Sequence, residues 1–412
     1  MRLHGWWFTA GRVMMVLGFL MTGFVTGGWA KDNVHLLTLD EAIALARAHN
    51  PQIQAARYQL DATEAQVIQA RSGMLPQVDV SETFGRTNSP LWAFGTKLNQ
   101  GVIQAEDFAP ARLNDPDAIN NFRTALTLTW NLFDGGQTWI GWRQAQQNRE
   151  AGMLALKRTE QEVAARTAQA YAASLLADAH YKVVVQALDT AQAHFNVVQD
   201  RERSGLAVKS DVLRAQVRIA DLEQQRLEAE SQGRVALAML GAAMGRGEEL
   251  YGAVRLSTPL QPRAALEGDL AQWIERALAQ RPDVQQMRIQ EEIARQQVAR
   301  ARAGHYPTLA LQGNYEINSE TFSDSKDSYA VGATVRFNIY SGQRISAKSA
   351  EARALMARIR SMREGLALGV RVDTQRAFFQ AQSAWQSIAV ARTAVAQAEE
   401  GLRIVANRYE SG

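Results

Sequence analysis

Residues 137–203 read QTWIGWRQAQQNREAGMLALKRTEQEVAARTAQAYAASLLADAHYKVVVQALDTAQAHFNVVQDRER, without a proline and with glycines only at positions 141 and 152. An uninterrupted stretch of this kind predicts a single α-helix, which would be about 100 Å long at 1.5 Å per residue. Helices of globular proteins usually have about three or four turns. This helix is too long for a compact domain, so the rest of the fold is expected to be arranged along it.

The long helix is predicted to end at Arg203-Ser204-Gly205-Leu206, and a second helical stretch follows over residues 209–240. Glycine adopts the left-handed conformation that lets a chain leave one helix and return beside it. The sequence therefore predicts a very long antiparallel helical hairpin. Small side chains allow neighbouring helices to approach closely. The alanines expected in the packed core of this helical wall are Ala164, Ala165, Ala168, Ala172 and Ala173.

Residues 1–30 have the features of a secretory signal peptide. Arg2, His4 and Arg12 form a basic start, residues 13–25 form an apolar run, and Gly28-Trp29-Ala30 supplies small residues where a signal peptidase cuts. The alternative is a membrane anchor, but the apolar run is shorter than the roughly 20 residues that cross a bilayer. We therefore expect cleavage after residue 30 and export of the protein.

The composition excludes several classes of function. The chain has 412 residues, a formal charge of +3 and no cysteine, which excludes disulfides, thiolate metal sites and cysteine nucleophiles. The basic residues are spread along the helices, so nucleic-acid binding is not expected. The 6 histidines show no metal-ligand spacing, and the sequence contains no phosphate-binding loop. We expect no enzyme activity, no cofactor and no metal site.

Two pairs of predicted β-strands interrupt the helices. Apolar and polar residues alternate over about 77–86 and 123–133, and again over about 308–317 and 329–340. Residues 86–121 are rich in glycine, proline, asparagine and aspartate, which predicts a long loop between the first two strands.

The second half of the chain repeats the plan of the first. Phe337-Asn338-Ile339-Tyr340-Ser341-Gly342 matches Trp130-Asn131-Leu132-Phe133-Asp134-Gly135. Gly304-His305-Tyr306-Pro307 likewise matches Gly73-Met74-Leu75-Pro76, where a helix is predicted to end before a strand.

These matches predict two copies of one structural unit. The first repeat is expected over residues 31–245, a linker over 246–269 and the second repeat over 270–412. The second repeat has no counterpart of residues 206–245, so we expect the sequence to be incomplete at its C-terminal end.

The predicted strands have the two-faced pattern of a membrane β-barrel. Leu128, Val331 and Val335 are expected to face lipid, and Thr127, Thr334 and Arg336 to face water inside. A tilted strand crosses a bilayer in about 9–11 residues, and a membrane barrel must close completely. Four strands cannot close a useful barrel, so strands of several chains would have to be pooled. The alternative is a small soluble sheet with one wet face.

Aromatic residues cluster near the strand ends, which favours the membrane interpretation. Such side chains form belts at the interfaces between membrane and water. The residues expected in the belt are Trp130, Phe133, Trp139, Trp142, Phe337 and Tyr340.

Several short motifs occur in a fixed order along the chain. Leu39–Ala46 precedes Asn50-Pro51, both copies have a Gly-x-x-Pro helix end, and Asn131–Gly136 precedes the long helix. Arg203–Leu206 is then followed by Asp211–Gln216. In their order, spacing and duplication these motifs resemble those of the TolC-like outer-membrane efflux proteins.

The resemblance implies a mainly α fold with a membrane β part. Long antiparallel helical hairpins would form a trimeric α-barrel, continued by a shared transmembrane β-barrel with four strands per protomer. The homotrimer would be the outer-membrane exit duct of a tripartite efflux or type I secretion system. It would reach through the periplasm and receive substrates from an inner-membrane pump and a periplasmic adaptor, the membrane fusion protein. The alternative is a periplasmic coiled-coil scaffold or adaptor without a membrane barrel.

The resemblance also implies roles for residues at the helix ends. The adaptor would dock on the hairpin tip, formed here by Arg203, Ser204, Gly205, Leu206 and Ala207. A periplasmic gate would be held shut by polar links between hairpins, for which the matching residues are Asp211, Ser210 and Tyr409. The ordinary alternative is that the acid at 211 only stabilises the start of a helix.

Overall fold

The computed structural model describes residues 35–247, 250–259, 261, 266–321 and 324–410. The expected signal peptide at residues 1–30 lies outside these residues. The helices are α1 Leu39–His49, α2 Pro51–Ser72, α3 Pro90–Gln100, α4 Pro110–Asn114, α5 Gln137–Arg203, α6 Lys209–Ala243, α7 Leu270–Gln280, α8 Pro282–Arg302 and α9 Arg344–Glu410. The strands are β1 His35–Leu37, β2 Gln77–Thr87, β3 Ile119–Phe133, β4 Val254–Leu256, β5 Thr308–Ser319 and β6 Ser325–Arg336.

The predicted long helix is confirmed with the expected bounds. Helix α5 has 67 residues, and α9, its counterpart in the second half, also has 67. Helix α6 packs antiparallel along the C-terminal half of α5, while α2 and α8 contact its N-terminal half. Helix α8 lies between α5 and α9, so the helices follow the order α2, α5, α8 and α9.

Prolines and caps set the boundaries of the helices. Pro51 opens α2, and the side chain of Asn50 accepts a hydrogen bond from the N–H of Gln52 at 2.9 Å. The amide of Asn50 also donates to the carbonyl of Ala243 at 2.8 Å. This bond holds the start of α2 next to the end of α6.

One glycine makes the turn at the tip of the hairpin. Gly205 has φ of +76°, which a residue with a side chain adopts only with strain. The N–H of Leu206 then donates to the carbonyl of Arg201 at 2.7 Å, which satisfies a carbonyl at the end of α5. The predicted turn is therefore present where the sequence placed it.

The four main strands form one antiparallel sheet in the order β2-β3-β5-β6. Strands β2 and β6 are its two edges. A second, two-stranded sheet pairs β1 with β4 in parallel. Among the described residues, no helix is both long and apolar enough to cross a membrane.

Strand β6 ends earlier than the predicted 329–340. It spans Ser325–Arg336, so Phe337 and Tyr340 lie in the connection to α9. Arg336 pairs with Thr308, and the residue before Thr308 is Pro307, which has no N–H for the ladder. The partner strand therefore fixes where β6 stops.

The expectation of a long loop over residues 86–121 was wrong. Strand β2 continues to Thr87 and β3 begins at Ile119, and α3, α4 and a 3₁₀ helix at Ala105–Phe108 lie between them. Pro90 is the first residue of α3, and Gly101 ends it with φ of +68°. The proline and glycine that favoured a loop mark the two ends of a helix here.

The principal core cluster joins β1, β4, α1, α5 and α6. Its buried members are Leu37, Ala42, Tyr171, Leu240, Met244, Leu250 and Val254. The hydroxyl of Tyr171 donates to the carbonyl of Leu37 at 2.8 Å and accepts from the N–H of Thr258 at 3.0 Å. The small sheet is thereby held against the middle of the long helix.

The five alanines expected in the packed core do not lie at its centre. Ala165 and Ala173 are exposed, and the other three are half-buried. The positions that α1, α2 and α6 cover on this part of α5 are Val163, Thr167, Tyr171 and Ser174.

Candidate functional site

The register of the main sheet places apolar side chains of all four strands on one face. Leu128 pairs with Val78 and with Gly313, which in turn pairs with Val331. Val331 is 78% exposed, so this face is uncovered in the single chain. A contiguous apolar surface of this kind marks an interaction with a partner or a membrane. Its apolar members are Val78, Val80, Phe84, Phe122, Leu126, Leu128, Trp130, Leu309, Leu311, Tyr315, Ile317, Tyr329, Val331, Ala333 and Val335. The polar residues Glu82, Thr124 and Asp327 lie on the same face.

The opposite face of the sheet carries a polar network. Arg123 forms an ion pair with Glu316, with 3.1 Å between nitrogen and oxygen. The same carboxylate accepts hydrogen bonds from Asn314 at 3.3 Å and Ser328 at 3.4 Å. The hydroxyl of Thr127 donates to Asn314 at 3.3 Å. A sheet with one apolar and one polar face is typical of strands that separate lipid from a water-filled interior.

The six aromatic residues of the expected belt all lie where the sheet meets the long helices. Trp130 and Phe133 are near the end of β3, Trp139 and Trp142 are in the first two turns of α5, and Phe337 and Tyr340 precede α9. Their role at a membrane interface stays a prediction.

Two of these aromatic side chains show how the junction is built. The indole N–H of Trp130 donates to the carbonyl of Met74 at 3.0 Å, which fixes the end of β3 against the end of α2. Trp139 is 51% exposed, and the guanidinium of Arg143 lies 5.4 Å from its ring centre. An aromatic ring with a polar partner and an open apolar surface suits an interface between lipid and water.

The hairpin tip presents one large apolar side chain. Leu206 is 79% exposed, Arg203 pairs with Asp200 at 3.4 Å, and the hydroxyl of Ser204 donates to the carbonyl of Asp200 at 2.9 Å. Gly205 makes the turn, and Ala207 beside it is half-buried. The tip is thus ordered by local bonds, and its docking role stays a prediction.

Two residues of the expected gate, Asp211 and Ser210, lie in the described part of α6. Asp211 lies in the first turn of α6 and pairs with Arg214 of the same helix at 3.3 Å. Ser210 is exposed beside it. Tyr409 lies in the last turn of α9, and its side chain is outside what the structure describes. The gate assignment stays a prediction.

Sequence reasoning missed a charged junction between α7, α8 and α9. Arg281 contacts Asp283 at 2.7 Å and Asp373 of α9 at 3.6 Å. Burial opposes the charge of Asp283, but its hydrogen bond to Arg281 and the nearby positive charge outweigh burial and hold the pKa of Asp283 below its ordinary value. In the sequence, Arg281 precedes Pro282 as Asn50 precedes Pro51, which indicates a helix junction at this position. The partner on α9 could not be predicted from this pattern.

The outer membrane efflux protein family matches residues 42–246 and 273–412 of the chain. The chain belongs to this family. It is 29% identical over 317 residues to Protein CyaE of Bordetella pertussis, covering 76% of this chain and 62% of that protein. It is 23% identical over 396 residues to the Proteases secretion protein PrtF of Dickeya chrysanthemi, covering 94% and 81%. The match thus spans less than two thirds of the length of CyaE.

Solved structures of membrane proteins share the fold of this family member. The outer membrane protein VceC of Vibrio cholerae superposes with a TM-score of 0.71 at 20% identity, covering 91% of this chain and 86% of VceC. A membrane protein of Pseudomonas aeruginosa gives 0.73 at 19% identity, covering 91% and 83%. The predicted fold class, long helical hairpins with a four-stranded contribution to a barrel, is therefore confirmed.

Proposed function

We propose that this protein is the outer-membrane exit duct of a tripartite efflux or type I secretion system. A homotrimer would pass substrates that an inner-membrane pump and a periplasmic adaptor hand over. The observation that carries the proposal is the main sheet, which has one apolar and one polar face and continues into two helices of 67 residues each.

The sheet needs partners to be stable in lipid. In a bilayer, unpaired backbone groups are several kcal/mol unfavourable each, so the edges of β2 and β6 must be paired. Strand β2 runs antiparallel to β3, and β6 runs antiparallel to β5, so β2 and β6 of adjacent copies would also meet antiparallel. Three copies of the four-stranded sheet would then close one barrel.

The long helices supply the periplasmic part of the duct. The hairpin of α5 and α6 reaches beyond the core cluster on the side away from the sheet. The repeat units 31–245 and 270–412, joined by the linker 246–269, would each give one long helix to the wall. The expected export signal and the relatives named as secretion proteins support an outer-membrane location and a passive conduit rather than an enzyme.

Extraction and conductance of the full chain test the proposal. After expression in a Gram-negative cell, the protein should require detergent for release from outer membranes. In gels it should run at the size of a trimer before heating and at the size of a single chain after heating. Purified protein should give stepwise conductance in planar lipid bilayers. Protein that is released from the periplasm without detergent and gives no conductance would instead support the coiled-coil scaffold.

A further inference from the structure

A groove with an excess of positive charge opens where α5, α8 and α9 meet the sheet. Its basic side chains are Arg300 of α8 and Arg344 and Lys348 of α9. Gln137 and Asn338 also line it, and Glu351 is the acid among the lining residues. Three cations and one carboxylate leave the groove with a net positive charge.

The three cations are not neutralised by neighbouring acids. None of them has an ion pair within 4.0 Å in the part of the chain that the structure describes. Arg300 approaches the side-chain oxygen of Gln144 at 3.5 Å, which is a neutral partner. The groove therefore keeps positive groups that a negatively charged ligand could bind.

The start of α9 adds to the positive potential. The N-terminus of a helix carries a partial positive charge, which acids usually stabilise. Helix α9 has no acid in its first turn and begins with Arg344. At the start of α5, by contrast, the carboxylate of Asp134 accepts from the N–H of Thr138 at 2.8 Å, and the matching residue before α9 is Ser341.

The first repeat shows that the fold does not require these charges. Helix α5 has the same length as α9 and begins with neutral residues. The residues that match Arg300, Arg344 and Lys348 in the first repeat are Gln69, Gln137 and Gly141. The charged groove is therefore a feature of the second repeat, added to a common scaffold.

The groove adjoins the sheet just beyond the end of β6. Thr334 and Arg336 are on the polar face of β6, opposite to Val335. Asn338 follows two residues after Arg336 and lines the groove. In the proposed duct the polar face lines the water-filled interior, and we place the groove at its end, where a substrate would pass the three cations as it moves from the helical part into the barrel.

We propose that Arg300, Arg344 and Lys348 form a binding site for the carboxylates of an acidic polypeptide during its passage. The inference rests on the proposed function and adds a substrate class to it. An exposed charge pair is weak because water screens both partners, so a single small anion would be held weakly. A chain with many carboxylates would contact the cations of several protomers together and still move on, because each contact is weak.

Two measurements on the full chain in planar bilayers of phosphatidylcholine test the site. They are the ion selectivity of the channel and its block by a polyanion. The triple variant R300Q/R344Q/K348Q should lower the chloride-to-potassium permeability ratio about threefold at low salt, with a smaller effect near 1 M salt. Poly-glutamate should block the wild type at about tenfold lower concentration than the variant. Arg353→Gln, an exposed position of α9 outside the groove, is the matched control and should change neither value.

A variant that adds a positive charge at the matching position of the first repeat tests the site in the opposite direction. Gln69 is exposed at the position that matches Arg300, so Gln69→Arg should raise the chloride preference and strengthen the block by poly-glutamate. If the triple variant gives no channels, Lys348→Gln alone replaces it, because the matching position in the first repeat is a glycine.

The outcomes separate this inference from the proposed function. Normal conductance with unchanged selectivity and block in the charge variants would overturn the site. Loss of co-purified phosphatidylglycerol in the triple variant, with selectivity unchanged, would assign the cations to a lipid headgroup and overturn it too. Absence of conductance in the wild type would overturn the duct itself, and the inference with it.

Discussion

Val335 and Thr334 are consecutive residues of β6 whose side chains lie on opposite faces of the sheet. Val335 is 70% exposed on the apolar face. An arginine on the lipid side is unfavourable by about 2–4 kcal/mol at the middle of a bilayer and by less near the end of a strand, where Val335 lies, whereas one inside the barrel is solvated. We expect Val335→Arg to reduce the folded fraction in outer membranes, measured as heat-modifiable migration, and Thr334→Arg to leave it unchanged.

The comparison between these two neighbours is decisive because the backbone environment is the same. If both arginine variants assemble like the wild type, the sheet is not embedded in lipid. The soluble-sheet alternative would then account for the apolar face.

Tyr171 is the buried side chain that links the small sheet to the long helix. Its hydroxyl bonds to the backbone of residues 37 and 258, and the side chain is 2% exposed. Tyr171→Phe would leave the N–H of Thr258 without this acceptor, whereas the carbonyl of Leu37 keeps the N–H and hydroxyl of Ser257 at 3.0 and 3.1 Å. We therefore expect unfolding to become easier by about 1–2 kcal/mol in denaturant titrations. Tyr58→Phe, at a tyrosine 70% exposed, should change stability by less than about 0.5 kcal/mol. Equal denaturant midpoints for the Tyr171 and Tyr58 variants would show that the hydroxyl of Tyr171 does not stabilise the fold.

At the scale of elements, the sequence predicts best where one residue type decides the geometry. The ends of α2 and α5 follow from Pro51 and Gly205, whose backbone restrictions act locally. The end of β6 could not be predicted in this way, because it depends on Pro307, which comes just before the partner strand β5. Helix α3 was missed because proline and glycine mark both loops and helix ends, and only tertiary packing distinguishes them.

The candidate sites also differ in whether a local sequence signal or tertiary packing determines them. The exposed tip at Leu206 follows from the turn signal alone. The groove at Arg300, Arg344 and Lys348 joins residues of two helices that are far apart in sequence. The repeat match would have shown that these positions are neutral in the first copy, but not that α8 and α9 bring them together.

The α5–α6 tip carries the prediction about docking. An exposed leucine on an ordered turn can be buried by a partner without rearrangement of the hairpin. Leu206→Asp should leave assembly and conductance unchanged and abolish export in cells that contain the adaptor and pump. Val217→Asp, at an α6 residue 70% exposed outside the tip, is the control and should export normally. Normal export by the Leu206 variant would refute the docking assignment.

The junction of Arg281 and Asp283 predicts an acid-dependent stability. The pKa of Asp283 is lowered in the folded state, so the stabilisation is present above the ordinary pKa of aspartate and is lost as pH falls through the lowered value. Asp283→Asn should lower the free energy of unfolding at pH 7 by about 1.5–3 kcal/mol and flatten its fall below about pH 4. The measurement is urea unfolding at a series of pH values.

The control for this junction is an exposed ion pair. Glu364 pairs with Arg360 at 3.3 Å on the surface of α9, so Glu364→Gln should have little effect at any pH. Parallel pH profiles for the wild type and the Asp283 variant would mean that the junction does not contribute to acid sensitivity.

At the scale of the whole molecule, one chain supplies only part of a closed wall. Its sheet has two open edges and an exposed apolar face, and α9 is contacted by α7 and α8 along its N-terminal half. Residues that act between copies therefore have only local partners in the single chain. Asp211 is an example, since its ion pair with Arg214 lies on the surface of α6.

The gate hypothesis concerns such a contact between hairpins. The resemblance places Asp211 and Ser210 just after the hairpin tip, at the start of α6, and Tyr409 near the end of α9. A hydroxyl–carboxylate link between them would contribute about 1 kcal/mol, weak enough for an adaptor to open. Tyr409→Phe combined with Asp211→Ala should raise the resting conductance in planar bilayers while the yield of trimer stays normal. Arg214→Ala, which removes only the local partner of Asp211, should leave the resting conductance low. If the double variant assembles normally and conducts like the wild type, Asp211 only stabilises the start of α6.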